Sequence, residues 1–144
     1  MPSVLFFEQP QPKAQLGCWD GFAGNFRLAI GYSAWGDFVL RNPDTGQIAI
    51  LYVIEPELVP ISFWDLDLFV SQYLAAPEVQ SHLIRPERLA AVERRLGPLA
   101  LGEVFTPELP LFLGGTCEPD TYEKSDVWTF VDFMGQLQGV DTEA

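Results

Sequence analysis

The longest uninterrupted apolar stretch of the chain runs from Ile48 to Ile54, and it constrains the fold more than any other feature. A strand that is apolar at every position must be covered on both of its faces. The stretch follows Asn42-Pro43-Asp44-Thr45-Gly46, where proline presets φ and glycine suits a turn. We therefore predict a β-hairpin that pairs Phe38 to Arg41 with Gln47 to Ile54, the second strand being central. The stretch is far shorter than the roughly 20 residues that a membrane-spanning helix needs.

The region before this hairpin contains weaker signals. Val4 to Phe7 is a strand-like run among prolines and glutamines, which predicts an edge strand or a loosely docked arm. Gly17 to Gly24 is rich in glycine and aromatic residues and predicts a turn region. From Asn25 onward, apolar residues alternate with Arg27 and Ala29, so we predict a strand with one buried face.

Helical spacing dominates the second half of the chain. Ser62 and Asp65 form a capping-box-like pair ahead of an apolar stripe at helical positions. That stripe comprises Leu66, Phe69, Val70, Tyr73 and Leu74. Pro77 ends this helix or begins a short second one.

Two further helices are predicted after that. Pro86 suits the first turn of one, Arg94 and Arg95 suit its last turn, and Gly97-Pro98 ends it. Asp126 can cap a final helix, although its first residues, Val127 to Phe133, also fit a strand. The apolar residues that keep helical spacing there are Val127, Phe130, Val131 and Met134.

The order of strands followed by helices predicts an α+β fold of one domain. In it, a mainly antiparallel sheet from the N-terminal half packs against helices from the C-terminal half. We divide the chain into an N-terminal arm or edge strand over residues 1–16, the domain over residues 17–140 and a tail over residues 141–144.

The composition of the chain argues against several classes of protein. The chain has 144 residues, of which 20 are acidic and 8 basic, giving a formal net charge of −12. Apolar residues make up 48% of the chain, too many for a disordered acidic tail. So few cations disfavour a nucleic-acid partner. Because no signal peptide and no membrane segment is predicted, we expect a cytoplasmic protein.

Catalytic and metal-binding patterns are weak. Cys18 and Cys117 form no zinc pattern, and we expect two reduced thiols and neither metal nor cofactor. His82 is the single histidine and has no nucleophile motif beside it. The segment Gly31 to Gly36 is one residue too long for a nucleophile elbow. We therefore expect a binding protein and not an enzyme.

Two acidic clusters are the candidate binding residues. Glu55 and Glu57 share one face of an extended stretch, and neither has a capping role. Glu118, Asp120 and Glu123 form a denser group in a predicted loop, and their spacing lacks the glycine of a calcium loop. We predict that these five residues contact a partner. If the contact is apolar instead, we expect it to use exposed aromatic residues such as Trp19, Tyr32 or Trp64.

Three stretches together resemble a bacterial family. They are Trp35-Gly36-Asp37-Phe38, the segment from Gly97 to Leu113-Gly114-Gly115, and the closing apolar run that ends at Gly135-Gln136-Leu137. In that order they resemble the C-terminal-type domain of type VI secretion DNase-immunity proteins. The similarity covers residues 35–138 and extends more loosely to the SUKH group of toxin-immunity domains.

This resemblance implies a function. It suggests an immunity protein that neutralises a cognate antibacterial toxin, a nuclease or other nucleotide-directed enzyme, by protein–protein contact. A basic toxin domain would attract an acidic inhibitor. The alternative is a SUKH-like intracellular adaptor that binds an endogenous partner. The sequence leaves the oligomeric state open.

Overall fold

The computed structural model describes residues 4–107 and 118–140, and a five-stranded antiparallel sheet lies at its centre. Strands that follow one another in the chain are neighbours in the sheet, so β1 and β5 are its edges. The strands are β1 (Val4–Pro12), β2 (Leu28–Ser33), β3 (Phe38–Arg41), β4 (Ile48–Tyr52) and β5 (Glu57–Pro60).

The predicted hairpin is β3 and β4. Its register pairs Phe38 with Leu51 and Arg41 with Ile48. The turn is closed by the amide of Gly46, which donates to the Asn42 carbonyl at 2.7 Å, and Gly46 has a φ of 83°. This local chemistry explains why the sequence alone was sufficient to predict it.

Both faces of β4 are covered, as predicted. Ile48 and Ile50 face one hydrophobic cluster, whereas Ala49 and Leu51 face another, and all four are fully buried. β2 is also covered on both sides, since Ala29 joins the second cluster while Ile30 joins the first. The prediction of one buried face for β2 was therefore wrong.

The first face carries two short helices that widen into π-helical turns. α2 (Leu66–Leu68) continues over Phe69–Tyr73, and α3 (Pro77–Val79) continues over Gln80–Ile84. The α2 cap is Asp65 alone, which accepts from the amides of Asp67 and Leu68, so the predicted role of Ser62 was wrong. The wider π turn shifts the helical phase, which leaves Val70 44% exposed although it was predicted to be buried.

The opposite face is covered by the N-terminal segment and the last helix. A 3₁₀ segment (Lys13–Trp19) leads into α1 (Asp20–Ala23). The last helix of the chain is α5 (Val127–Leu137). The Trp19 indole N–H donates to the Val131 carbonyl at 2.7 Å. The prediction of a turn region over Gly17 to Gly24 is confirmed only at these two glycines, which have positive φ, because the residues between them form 3₁₀ and α-helical turns. Leu16 and Trp19 are fully buried against this face.

The rest of the domain combines α4 (Pro86–Leu96) with a hairpin of β6 (Glu103–Pro107) and β7 (Tyr122–Asp126). Pro86 begins α4 and Gly97, with a φ of 81°, follows it, as predicted. The Asp126 carboxylate caps α5 by accepting from the Thr129 amide at 2.8 Å, which confirms the final helix.

The α+β class with one domain is therefore confirmed. Gly114, Gly115, Cys117 and the tail over residues 141–144 lie outside the described residues. In the part of the chain that is described, no helix is long and apolar enough to cross a membrane.

Gly36 and Gly102 have similar positive φ angles but different surroundings, so substitutions at the two positions distinguish backbone strain from steric crowding. Gly36 has a φ of 95° and a Cβ there would lie 2.5 Å from the Phe130 ring, whereas Gly102 has a φ of 98° and open space. We expect Gly102→Ala to lower the free energy of unfolding by about 1–3 kcal/mol through strain. Gly36→Ala should cost about 1–3 kcal/mol more through overpacking. Urea denaturation measures both; equal losses would contradict the close packing of Gly36 on Phe130.

Candidate functional site

A groove of about 830 Å³ lies where the turn after β4 meets the end of α3. Its floor is the carboxyl group of Asp37, and its wall includes Tyr52, Tyr73, His82 and Arg85. Glu55 and Glu57 line the same groove and are exposed to solvent. We call it the acidic groove.

The turn between β2 and β3 positions Asp37. The Ser33 amide donates to the Asp37 carbonyl at 2.7 Å, and the Asp37 amide donates to the Ser33 hydroxyl at 3.2 Å. The positive φ of Gly36 allows this tight reversal. The Val53 amide then donates to Oδ1 of Asp37 at 3.1 Å, which ties the floor of the groove to the end of β4.

Burial has the largest influence on the pKa of the Asp37 carboxyl group. Only 6% of the residue is exposed, and this raises the pKa of its carboxyl group to about 6. The hydrogen bond from Val53 and the nearby charges of Arg85 and His82 act in the opposite direction, lowering the pKa. The groove therefore holds a carboxyl group that changes charge just below neutral pH.

Tyr52, Tyr73 and His82 lie along the wall of the groove. The Tyr52 hydroxyl lies 3.0 Å from Nε2 of His82. Burial raises the pKa of both phenols. They remain protonated at neutral pH and serve as hydrogen-bonding groups, with little nucleophilic character.

Arg85 joins α3 to α4 in a strained conformation. Its φ of 53° makes it the one non-glycine residue with positive φ in the described ranges 4–107 and 118–140. Its Nε donates to the His82 carbonyl at 3.1 Å. This closes the end of α3 and leaves the guanidinium at the edge of the acidic groove.

A second, smaller groove of about 270 Å³ lies between the β6–β7 hairpin and α5. Its wall is mainly apolar, with Phe130 and Met134 buried and Phe133 49% exposed. The carboxylates of Glu123 and Asp126 line it as well, and both residues are exposed. We call it the apolar groove.

Ile54 lines both grooves, so they border one continuous face. The acidic groove contributes Glu55 and Glu57 to this face, and the apolar groove contributes Phe133, Glu123 and Asp126. We call these residues, with Ile54, the acidic face. Two regions far apart in the sequence thus supply carboxylates around a shared apolar centre.

The structure brings together three of the five predicted binding residues. Glu55, Glu57 and Glu123 belong to the acidic face, although Glu123 lies in β7 where a loop was predicted. Glu118 and Asp120 are exposed but line neither groove. The 3₁₀ turn Pro119–Thr121, which contains Asp120, packs against α4 instead.

The three aromatic residues named as alternatives differ in their exposure. Trp19 and Tyr32 are fully buried, so the prediction that they are exposed was wrong. The Tyr32 hydroxyl has a structural role, since it accepts from the Gly102 amide at 2.7 Å. Trp64 is 50% exposed, as that prediction requires.

Sequence reasoning missed several residues of the site. Asp37 was noticed within the motif Trp35-Gly36-Asp37-Phe38, but its burial at the floor of a groove follows only from the tertiary fold. His82 was expected at the surface or in an interface, and its contact with Tyr52 had no sequence signal. Within residues 4–107 and 118–140, no group of histidine, cysteine and acidic side chains is close enough to hold a metal ion.

The raised pKa of Asp37 predicts a pH-dependent stability. Between its ordinary pKa of 3.8 and about 6, the folded state binds more protons than the unfolded state, so this contribution to stability decreases as pH rises. The loss amounts to about 3 kcal/mol at most. Asp37→Asn keeps the acceptor for Val53 and removes the titration. Its stability relative to wild type should therefore rise between about pH 4 and pH 7.

Urea denaturation across that range measures the difference. Asp67→Asn, at an exposed carboxylate, is the control for loss of a charge. A difference between Asp37→Asn and wild type that stays constant with pH would contradict the burial of a titrating carboxyl group.

Comparison with solved structures finds the same fold elsewhere. The crystal structure of Atu4351 from Agrobacterium tumefaciens superposes with a TM-score of 0.65 over 93% of this chain, at 17% sequence identity. The chain spans 66% of the length of that protein, just under two thirds. At this identity the likeness concerns the fold alone. No protein-family model and no curated protein matches the chain.

Proposed function

We propose that this protein is an immunity protein that binds and neutralises a cognate antibacterial toxin through its acidic face. The toxin would be a type VI secretion effector that acts on nucleic acids or nucleotides. The observation that carries the proposal is the combination of an apolar centre, Ile54 and Phe133, with a rim of four exposed carboxylates. The sequence resemblance to immunity domains supports the same function.

The apolar centre supplies a candidate anchor. Specific interfaces concentrate binding energy in a few aromatic residues that become buried, surrounded by a polar rim. Phe133 is half exposed beside a groove that a partner side chain can enter. Glu123 and Asp126 at the same groove would meet the cations around the toxin's cleft.

The charge of the chain favours such a partner. A net charge of −12 attracts a basic protein over distances beyond direct contact. Toxins that cleave or modify nucleic acid need basic clefts for the phosphate backbone. An acidic inhibitor would reach such a cleft quickly and occlude it.

The described groups of the acidic groove are suited to binding more than to catalysis. Its phenols are protonated and its buried carboxyl group is hydrogen-bonded to Val53. We therefore propose inhibition by contact, without turnover. The protein would work in the cytoplasm, where an incoming nuclease meets its substrate.

Co-expression with the neighbouring toxin gene tests the proposal. We expect protection of the cell and co-purification of a complex. A toxin that still kills, with no complex recovered, would refute the immunity function. Recovery of a host protein in place of the toxin would favour the adaptor alternative.

Charge reversal tests the role of the acidic face. The triple variant Glu55→Lys, Glu57→Lys and Glu123→Lys should slow association with the toxin by about tenfold or more at low salt, because rim charges mainly set the association rate. Its melting temperature should change little, since all three residues are exposed. Stopped-flow or surface-based kinetics at several salt concentrations measures the rate.

The matched control moves the same charge at other exposed positions, namely Glu8, Asp67 and Glu78. An equal slowing in both triple variants would mean that only net charge matters. A further variant, Glu118→Lys with Asp120→Lys, should have a smaller effect, because those residues lie off the acidic face.

The apolar anchor is tested by Phe133→Ala. If Phe133 becomes buried in the complex, truncation should weaken affinity by about 2 kcal/mol or more, mainly through faster dissociation. Leu101→Ala is the control, since Leu101 is 51% exposed and lines neither groove. Calorimetric titration measures the affinities. Equally small losses of affinity in the two variants would contradict a contact between Phe133 and the toxin.

A further inference from the structure

A third cavity, of about 770 Å³, adjoins the acidic groove between α3 and α4. His82 and Arg85 line both spaces, and Arg88 completes a wall of nitrogen-bearing side chains in the third one. Gln80 and Ser81 add polar groups, and Glu87 is the single acidic residue among the described ones that line it. This cavity has no part in the proposed acidic face.

The two arginines are notable in so acidic a chain. Lys13, Arg27 and Lys124 each have a carboxylate within 4.0 Å in the described residues. Neither Arg85 nor Arg88 forms such an ion pair there, although acidic residues outnumber basic ones by 20 to 8. Arg41 and Arg94 also form no such ion pair in the described residues, and the charge of Arg85 lowers the pKa of Asp37. Arg85 and Arg88 are the arginines that line this cavity, where an anion from solution can reach them.

Of the two arginines, Arg88 has the more unusual environment. Its guanidinium carbon lies over the Trp35 ring, 5.7 Å from the ring centre, in a cation–π contact. Its Nη1 atom is buried and has no hydrogen-bond partner in the described part of the chain. An unsatisfied buried donor on a charged group is unfavourable, because its lost hydration is not replaced. Because Nη1 is buried, a ligand oxygen in the adjoining cavity would reach it only after the Arg88 side chain shifts toward the cavity, and binding would then satisfy this donor.

The N-terminus of α4 adds to the positive electrostatic potential of the cavity. α4 has 11 residues, begins with Pro86, and has no side-chain cap on its free amides. The positive end of the helix dipole therefore lies beside the guanidinium groups of Arg85 and Arg88. Glu87 opposes them in part, but its side chain is exposed.

We propose that this cavity binds a phosphate group. Two guanidinium groups, with an imidazole beside them, can donate hydrogen bonds from several directions, which suits a tetrahedral dianion better than a flat carboxylate. The cavity is larger than a phosphate ion, so the group can belong to free phosphate or to a small phosphomonoester such as a nucleotide.

Calorimetric titration of the purified protein with potassium phosphate, against potassium chloride at equal ionic strength, tests the proposal. We expect saturable binding at one site and a rise in melting temperature that chloride does not produce. The absence of saturable binding at millimolar phosphate would overturn it.

Variants locate the binding. Arg88→Gln should weaken phosphate affinity about tenfold, because one charge-assisted hydrogen-bonding group is lost. Arg85→Asn, which suits the left-handed backbone, should do the same and serves if Arg88→Gln fails to fold. Arg94→Gln removes the same charge from an exposed position in the last turn of α4 and should bind like wild type. Equal losses in all variants would show a non-specific charge effect and overturn the site.

Two further ligands identify the class. Tighter binding of AMP than of inorganic phosphate would assign the phosphate to a nucleotide, and the reverse order would assign it to the free ion. Acetate should not compete at similar concentrations. Competition by acetate as strong as that by phosphate would overturn the phosphate assignment.

Discussion

Burial of residues 48–51 of β4 on both faces of the sheet is the constraint on which the rest of the structure depends. Because Ile48 and Ile50 face one side while Ala49 and Leu51 face the other, both faces of the sheet need a cover. α2 and α3 cover one face, and α5 with the N-terminal segment covers the other. The chain leaves this protected strand at Val53, whose amide holds Asp37. The next residue, Ile54, is shared by the two grooves. The site therefore lies where the chain leaves this buried strand.

Much of this fold was predictable because its signals are local. The turn of the β3–β4 hairpin, Pro86 at the start of α4 and Asp126 before α5 act within a few residues. Prediction failed where packing decides. Val70 is exposed because a π turn changes the helical phase, and Leu16 and Trp19 are buried in the cluster that the sheet forms with α5.

The site was less predictable than the fold. Composition indicated carboxylates as binding groups, and Glu55, Glu57 and Glu123 do meet on one face. Nothing in the sequence shows that Ile54 connects them, since that depends on how the β6–β7 hairpin lies beside the turn after β4. The roles of Asp37 and Arg88 were not predicted, for a similar reason. Their chemistry arises from burial, and burial is a property of the assembled layers.

The two edges of the sheet limit how the protein can associate. β5 is only four residues long and ends at Pro60, and β1 is interrupted by an irregularity between Phe6 and Gln11 and carries Pro10 and Pro12. Short strands, bulges and prolines prevent another strand from continuing the ladder. The sheet is thus protected against edge-to-edge growth into aggregates. Recognition of another protein is directed instead to side chains outside the sheet edges, such as those of the acidic face, where specificity can be adjusted one residue at a time.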